Sequence, residues 1–123
     1  MVFVTKWGEW GIDDGQFNSP FDVAAGTSGS VYVSDTANHR IQKFTPDGEF
    51  VIKWGTEGSG DGQFSYPRQI AVGPDGNIYV ADLGNNRIQK FTSKGLFITK
   101  WGMDGERNGK FTSAGGGRRV IGR

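Results

Sequence analysis

The sequence predicts an all-β fold made of repeated four-stranded antiparallel sheets. Three observations predict it: a repeat of fixed length, short apolar segments bounded by turn residues, and no apolar stripe with the ~3.6-residue period of a helix. Trp7, Trp54 and Trp101 are spaced 47 residues apart, and each is followed by Gly. Residues 2–48 and 49–95 are identical at 25 of 47 positions without a gap. A period of this length is typical of stacked supersecondary units.

Each period contains four strand-like segments. In the second copy they are residues 69–72, 77–82, 87–92 and 96–101. Val, Ile, Tyr and Phe are concentrated in these segments, and Gly, Asp, Asn and Pro bound them, as is typical of strands. The turn Pro74-Asp75-Gly76 suits a hairpin, because Pro fixes φ and Gly accepts a positive φ. Four antiparallel strands in a period of this length are typical of a β-propeller blade.

Composition narrows the classes of function. The chain has 123 residues, of which 21 are Gly, and nearly all the glycines fall at fixed positions in the turns of the period. Nine Phe, four Trp and three Tyr predict a buried core rather than disorder. The absence of Cys excludes disulfides and zinc–thiolate sites within the chain. A net charge of +1 gives no electrostatic argument for nucleic acid or for an anionic membrane. No signal peptide or membrane span is predicted, so we expect no membrane partner and assign no compartment.

The repeat carries a multi-part motif. It reads Gly-Gln-Phe-x-x-Pro, a short apolar strand, Gly-Pro-Asp-Gly-Asn-Ile-Tyr-Val-Ala-Asp, Asn-x-Arg-Ile-Gln-Lys-Phe and finally Lys-Trp-Gly. This pattern resembles the NHL repeat from residue 3 to about residue 112, with two full repeats and part of a third. The resemblance implies a six-bladed β-propeller. It also implies a binding platform for proteins or RNA, although a minority of the family are enzymes, such as the peptidyl-hydroxyglycine lyases.

The chain is too short for six blades, which at 47 residues each would need roughly 280 residues. We expect an outer strand at 2–8, one blade at 20–55, a second at 67–102, a linker to an incomplete third repeat at 103–113 and a disordered tail at 114–123. Two blades leave one apolar face uncovered at each end of the stack. The sequence therefore predicts that three copies associate head-to-tail as a homotrimer with six blades. The alternative is that the chain is a fragment of a longer protein.

A duplicated outer strand suggests how copies join. The segment Phe3-Val4-Thr5-Lys6-Trp7-Gly8 is nearly a copy of Phe97-Ile98-Thr99-Lys100-Trp101-Gly102. Either segment is able to complete the same blade, so strand exchange between chains is predicted. The predicted closure residues are Phe3, Val4, Trp7, Phe97, Ile98 and Trp101.

The most conspicuous polar residues recur in both blades. Each Asp lies at the end of one strand and each Arg at the start of the next, where an Arg–carboxylate pair pins the turn or bridges to the adjacent blade. A catalytic acid is expected in one blade only, so these residues are interpreted as structural and no catalytic residue is predicted. Trp54 and Trp101 are interpreted as packing between blades. The polar set is Asp35, Asn38, Arg40, Asp82, Asn85 and Arg87.

Positions that differ between the copies are the candidates for ligand recognition, because loops carry binding on a rigid scaffold. His39, the sole histidine, is predicted to be a surface residue of a turn. One histidine without cysteines does not supply a typical zinc site, and no cofactor is expected. The candidate loop residues are Trp10, Phe21, His39, Tyr66, Arg68 and Leu83.

The sequence thus predicts a non-catalytic binding or scaffold module that recognises protein or peptide through blade loops or the central channel. Three alternatives stay open. They are an RNA-binding propeller, a metal-dependent lyase-like or lactonase-like enzyme, and a propeller fragment whose main activity is self-assembly.

Overall fold

The structure, a computed structural model, describes residues 7–102. Two short strands, β1 (Glu9–Trp10) and β2 (Gln16–Phe17), come first and pair in parallel. Two four-stranded antiparallel sheets follow them. The predicted all-β fold of four-stranded antiparallel sheets is confirmed. The predicted closure residues Phe3 and Val4, the linker at 103–113 and the tail at 114–123 lie outside the described residues.

The two sheets have the same strand order. The first sheet is formed by β3 (Pro20–Ala25), β4 (Val31–Asp35), β5 (Arg40–Phe44) and β6 (Phe50–Trp54), each paired with the next. The second sheet is formed in the same way by β7 (Pro67–Val72), β8 (Ile78–Asp82), β9 (Arg87–Phe91) and β10 (Phe97–Trp101). Each sheet is therefore a simple meander, as expected for neighbouring strands joined by short turns.

A short 3-10 helix joins the second and third strands of each sheet. These helices, η1 (Thr36–Asn38) and η2 (Leu83–Asn85), were not predicted from the sequence. They end at His39 and Asn86, whose φ angles of 54° and 52° lie in the left-handed region. Asn and His are enriched in that region among residues other than Gly.

The two sheets pack face to face, and the contact between them is here termed the seam. Each sheet has two faces. The trailing face of the first sheet lies at the seam, and the equivalent face of the second sheet is also termed trailing. The opposite face of each sheet is termed leading, so the seam joins the trailing face of the first sheet to the leading face of the second. Side chains alternate between the faces along each strand. Tyr32 and Ile41 of the first sheet share one buried cluster with Ile70, Ile78 and Phe91 of the second. The core of the described residues therefore lies at the seam.

Equivalent positions differ in burial according to whether the seam covers them. Ile70 is 7% exposed on the covered leading face of the second sheet, whereas its equivalent Val23 is 60% exposed on the uncovered leading face of the first. Ala24 packs against this buried hydrophobic cluster, whereas its equivalent Ala71 is exposed. The part of the first sheet's leading face around Val23 and the part of the second sheet's trailing face around Ala71 are therefore not covered by the described residues, whereas Phe44, on the same leading face as Val23, lies against Trp7. Within residues 7–102, no helix has the length and apolar character needed to cross a membrane.

Candidate functional site

A buried carboxylate organises the turn of the second sheet. Asp82 is fully buried, and its Oδ2 accepts hydrogen bonds from Arg87 Nε at 2.8 Å, Asn85 Nδ2 at 2.9 Å and Gln89 Nε2 at 3.2 Å. Its Oδ1 accepts the backbone N–H of Ser65 at 2.7 Å. A carboxylate buried in this way is tolerated because it is paired with a cation and fully hydrogen-bonded.

The Arg87 guanidinium uses its other donors to hold the loop that leads into the sheet. Its Nη1 donates to the carbonyl of Ser59 at 2.8 Å, and its Nη2 donates to the carbonyls of Gly60 at 2.8 Å and Gln63 at 2.9 Å. Gln89 Nε2 also donates to the Gln63 carbonyl, at 2.7 Å. The fork of donors on an Arg suits this role, which a Lys cannot fill.

The first sheet repeats this arrangement. Arg40 Nε donates to the fully buried Asp35 carboxylate at 2.6 Å, and Asn38 and Gln42 donate to the same oxygen. The remaining Arg40 donors bind the carbonyls of Ile12, Asp13 and Gln16. The sequence singled out the Asp, Asn and Arg of this set but not Gln42 and its equivalent Gln89. Their signal was present, since both lie in the run Arg-Ile-Gln-Lys-Phe-Thr that the two repeats share.

Two of the three repeated tryptophans, Trp7 and Trp54, lie against aromatic residues of the sheet that follows them in the chain. The Trp54 ring lies 5.6 Å from Phe91 across the seam and 6.3 Å from Tyr32 in its own sheet. Trp7 lies 4.6 Å from Phe44 on the leading face of the first sheet. Trp101 is half-buried, and its ring lies 6.3 Å from Tyr79 of its own sheet.

His39 lies in the predicted turn but is not a surface residue. Its side chain packs edge-on against Tyr66 with the ring centroids 4.5 Å apart, and the residue is only 9% exposed. Its Nδ1 accepts the backbone N–H of Tyr66 at 3.0 Å. The prediction of an exposed histidine is therefore wrong, because the loop before the second sheet folds over it. Tyr66 itself is 51% exposed.

Phe21 and Arg68 meet across the seam on the neighbouring strands β3 and β7. Arg68 Cζ lies 4.1 Å from the centroid of the Phe21 ring, in the position of a cation–π contact. Phe21 is 47% exposed. Beside this pair, Asp22 Oδ2 accepts the backbone N–H of Ile70 at 3.0 Å, which joins the two inner strands directly.

The structure thus places four of the six candidate loop residues in two contacting pairs, Phe21 with Arg68 and His39 with Tyr66, and the other two lie apart. Phe21, His39, Tyr66 and Arg68 are here termed the seam cluster. Trp10 is 77% exposed on β1, and Leu83 is half-buried in η2. In the predicted closure strand β10, Phe97 packs 6.0 Å from Phe91 and Ile98 is 42% exposed.

The hairpin turn of the second sheet holds one perturbed carboxyl group. The backbone N–H of Asn77 donates to Asp75 Oδ1 at 3.0 Å, and this hydrogen bond lowers the pKa of Asp75. The Asn77 side chain and the nearby Lys90 act in the same direction. Within residues 7–102, no group of three or more His, Asp or Glu side chains is placed to hold a metal ion.

The repeated strand order and the repeated Asp–Arg network define a segment of a β-propeller, in which each sheet is one blade. The profile of the NHL repeat matches residues 17–44 and 64–91. The chain therefore contains two NHL repeats. It is 46% identical over 50 residues to the B-box type zinc finger protein ncl-1 of Caenorhabditis elegans and 44% identical over 50 residues to the protein brain tumor of Drosophila melanogaster. Each match covers 41% of this chain but only 6% and 5% of those proteins.

Solved structures of enzymes share the fold. A streptogramin B lyase superposes with a TM-score of 0.58 at 22% identity, over 73% of this chain and 28% of the lyase. A catalytically inactive variant of virginiamycin B lyase from Staphylococcus aureus, with quinupristin, gives a TM-score of 0.57 at 25% identity, over 74% of this chain and 29% of its own. A luciferin-regenerating enzyme gives a TM-score of 0.52 at 14% identity, over 70% of this chain and 30% of its own. Less than a third of each of these chains is matched.

Proposed function

We propose that the chain is a non-catalytic binding and scaffold module that recognises protein or peptide at the seam cluster. The observation that carries this proposal is two contacting pairs with a half-exposed aromatic ring in each: Phe21 lies against Arg68, and Tyr66, two residues before Arg68, lies against the buried His39. Aromatic residues and arginine supply much of the binding energy at protein interfaces. The Phe21 ring holds the guanidinium in place, so its donors are oriented toward a carboxylate of a ligand at a reduced entropic cost.

The conspicuous acidic and basic residues support a non-catalytic role. Asp35 and Asp82 are both fully buried, and each accepts four hydrogen bonds from its own blade and loop. Both sets are the same in the two blades. A carboxylate that is satisfied in this way has its hydrogen-bonding capacity taken up by the fold rather than directed to a substrate.

Peptide selection tests the proposed ligand class. The immobilised 123-residue chain is panned with a random dodecapeptide phage library, and the selected peptides are assayed in solution. We expect the selected peptides to be acidic and aromatic. Their affinity for the Arg68→Glu and Tyr66→Ala variants of the chain should be roughly tenfold lower than for the wild type. Lys94→Glu, an exposed charge change at a hairpin turn, is the matched control and keeps full binding.

Two results decide against the peptide proposal. One is that no peptide is enriched, or that the enriched peptides bind Arg68→Glu normally. The other is that a single-stranded RNA oligomer binds at low salt with the same dependence on Arg68 and Tyr66, which replaces peptide by RNA as the ligand.

We further propose that copies of the chain join head-to-tail and that three copies complete a six-bladed ring. The uncovered trailing face of the second sheet has a depression lined by Ala71, Tyr79, Ala81 and Ile88. Their equivalents on the first sheet include Ala24, Tyr32 and Ile41, which pack with Ile70 in the seam. Val23 is the equivalent of Ile70 and is uncovered at the other end of the chain. The seam inside the chain therefore supplies the pattern for a seam between copies.

Charge substitutions on the two uncovered faces test this assembly. We expect the wild type to sediment with three times the 13.4 kDa mass of the chain. Val23→Glu and Ala71→Glu should each prevent ring closure, because either one introduces a charge into an apolar contact. Leu96→Glu is the matched control: Leu96 is 65% exposed, and its equivalent in the first sheet is already Glu49.

Mixing the two variants distinguishes head-to-tail from symmetric association. Val23→Glu retains an intact trailing face and Ala71→Glu an intact leading face, so an equimolar mixture should form a heterodimer that stops at two chains. A strict wild-type monomer, or association that neither variant weakens, contradicts the assembly.

A further inference from the structure

A pocket on the leading face of the first sheet already holds an indole ring. Trp7 lies 4.6 Å from Phe44 and 6.5 Å from Phe17, measured between ring centroids. Gly48 forms the floor of this pocket: a Cβ atom built on it would collide with the Trp7 indole. Phe17, Phe44 and Gly48 are here termed the indole pocket.

The same pocket exists at the seam, where its occupant comes from the preceding blade. Trp54 belongs to the first sheet, yet it packs 5.6 Å from Phe91 of the second and covers Gly95, on which a Cβ atom would lie 2.6 Å from Trp54 Cε3. Phe64 and Phe91 lie 5.6 Å apart, as do Phe17 and Phe44. Trp54 at the second sheet and Trp7 at the first are thus equivalent in sequence and in contacts.

The backbone after the indole is also the same. Gly8 and Gly55 follow the two tryptophans with φ angles of 102° and 110°. A Cβ atom on Gly8 would collide with the Phe17 ring, and one on Gly55 would collide with the Phe64 ring. Gly102 follows Trp101 with a φ angle of 93°. Trp101-Gly102 therefore has the geometry of the two pairs that occupy a pocket, while the pocket that would follow it belongs to no described part of this chain.

We infer that the indole pocket is the docking site for Trp101 of a second copy and that Trp7 is its intramolecular competitor. The inference rests on the proposed head-to-tail assembly, in which the second sheet of one copy precedes the first sheet of the next. Trp101 of the preceding copy then stands where Trp54 stands at the internal seam. Phe17, Phe44 and Gly48 have room for one indole, so docking of Trp101 requires that Trp7 leave.

The competition lowers the affinity of one copy for another. Only the fraction of molecules with an empty pocket is competent to dock, and the apparent affinity falls by that fraction. A pocket filled by Trp7 nine-tenths of the time weakens association about tenfold. Trp7 thereby limits assembly at low concentration, and a protein or peptide that takes up Trp7 promotes it.

Sedimentation equilibrium of the full 123-residue chain tests the competition. Trp7→Ala should associate at a roughly tenfold lower concentration than wild type, and Trp7→Phe, which keeps an aromatic ring over Phe44, should lie between them. Trp101→Ala should associate more weakly, also in the Trp7→Ala background. Trp10→Ala is the matched control, because Trp10 is 77% exposed and its equivalent in the second repeat is Glu57 rather than an aromatic residue.

The floor of the pocket gives a second test. Gly48→Ala should block both indoles and weaken association, whereas Gly76→Ala, which has a φ of 82° and open space around it, should not. The competition is overturned if Trp7→Ala associates no more tightly than wild type, including the case in which both are monomers. If Ala71→Glu weakens association but substitution of Trp7 does not change it, only the proposed competition is wrong. If no variant associates at any concentration, both the competition and the head-to-tail assembly are wrong.

Discussion

Arg87 Nε lies 2.8 Å from Asp82 Oδ2, and both side chains are buried. The pair Arg40 and Asp35 repeats this contact at 2.6 Å in the preceding blade. In each blade the carboxylate fixes the turn between two strands, while the guanidinium fixes the loop that leads into the sheet; for the second blade this loop comes from the first. One ion pair therefore connects the fold of a blade to its position beside its neighbour.

Removal of the charge on Asp82 should destabilise the chain strongly. Asp82→Asn keeps the shape of the side chain but leaves the buried Arg87 cation without its carboxylate, and we expect a loss of about 3 kcal/mol in the free energy of unfolding. Urea denaturation followed by circular dichroism measures this loss. The control is Asp61→Asn, since Asp61 pairs with Lys100 at 2.6 Å but the two side chains are 54% and 41% exposed. That change should cost less than about 1 kcal/mol, and equal losses for the two variants would contradict a dominant role for the buried pair.

The Asp75 carboxyl should titrate below its ordinary pKa of 3.8. The main cause is the hydrogen bond from the backbone N–H of Asn77, which favours the ionised form, with the Asn77 side chain and Lys90 as smaller causes. Because the folded pKa is lowered, this group stabilises the fold above its unfolded pKa, and the contribution is lost as the pH falls through the folded pKa. Side-chain carboxyl shifts measured by NMR across an acid titration report the pKa directly.

Asn77→Ala separates the two hydrogen bonds from that residue. It removes the side-chain donor at 2.9 Å and retains the backbone donor at 3.0 Å. The pKa of Asp75 should therefore rise in the variant yet stay below 3.8. Titration of the wild-type group at 3.8 or above would contradict the assignment of the backbone N–H as the cause.

The repeat made the sheets predictable from the sequence. Strand segments, turns and the period were each present twice, so every local preference was supported by a second copy, and the strand order of the two sheets follows from short turns alone. The Asp, Asn and Arg residues at the turn were identified for the same reason. Gln42 and Gln89 were not, because an amide between Ile and Lys in a strand resembles an ordinary alternating position until the loop over it is seen.

The positions of the loops were less predictable. His39 was expected at the surface because the neighbouring sequence predicts a turn there. Its burial comes instead from contact with Tyr66, which is 27 residues away in sequence. The contact between Phe21 and Arg68 was likewise not predictable. The two residues occupy equivalent positions in the two repeats, and a repeat pattern does not indicate whether equivalent residues of neighbouring blades are in contact. Contacts between blades depend on how the sheets stack, which a one-dimensional period does not specify.

Two glycines with the same backbone separate packing at the seam from backbone conformation. Gly95 and Gly76 have φ angles of 84° and 82°, so replacement of either by Ala places a Cβ atom in the left-handed region at a cost of about 1–2 kcal/mol. Around Gly76 there is open space, whereas a Cβ atom on Gly95 would lie 2.6 Å from the Trp54 ring. Gly95→Ala should therefore cost about 1–3 kcal/mol more than Gly76→Ala, because the indole must leave its place on Phe91. Urea denaturation of both variants measures the difference, and Trp54 fluorescence in a background without the other tryptophans should change for Gly95→Ala alone. Equal losses of stability would mean that Trp54 moves aside without cost, and that the indole does not hold the two blades together.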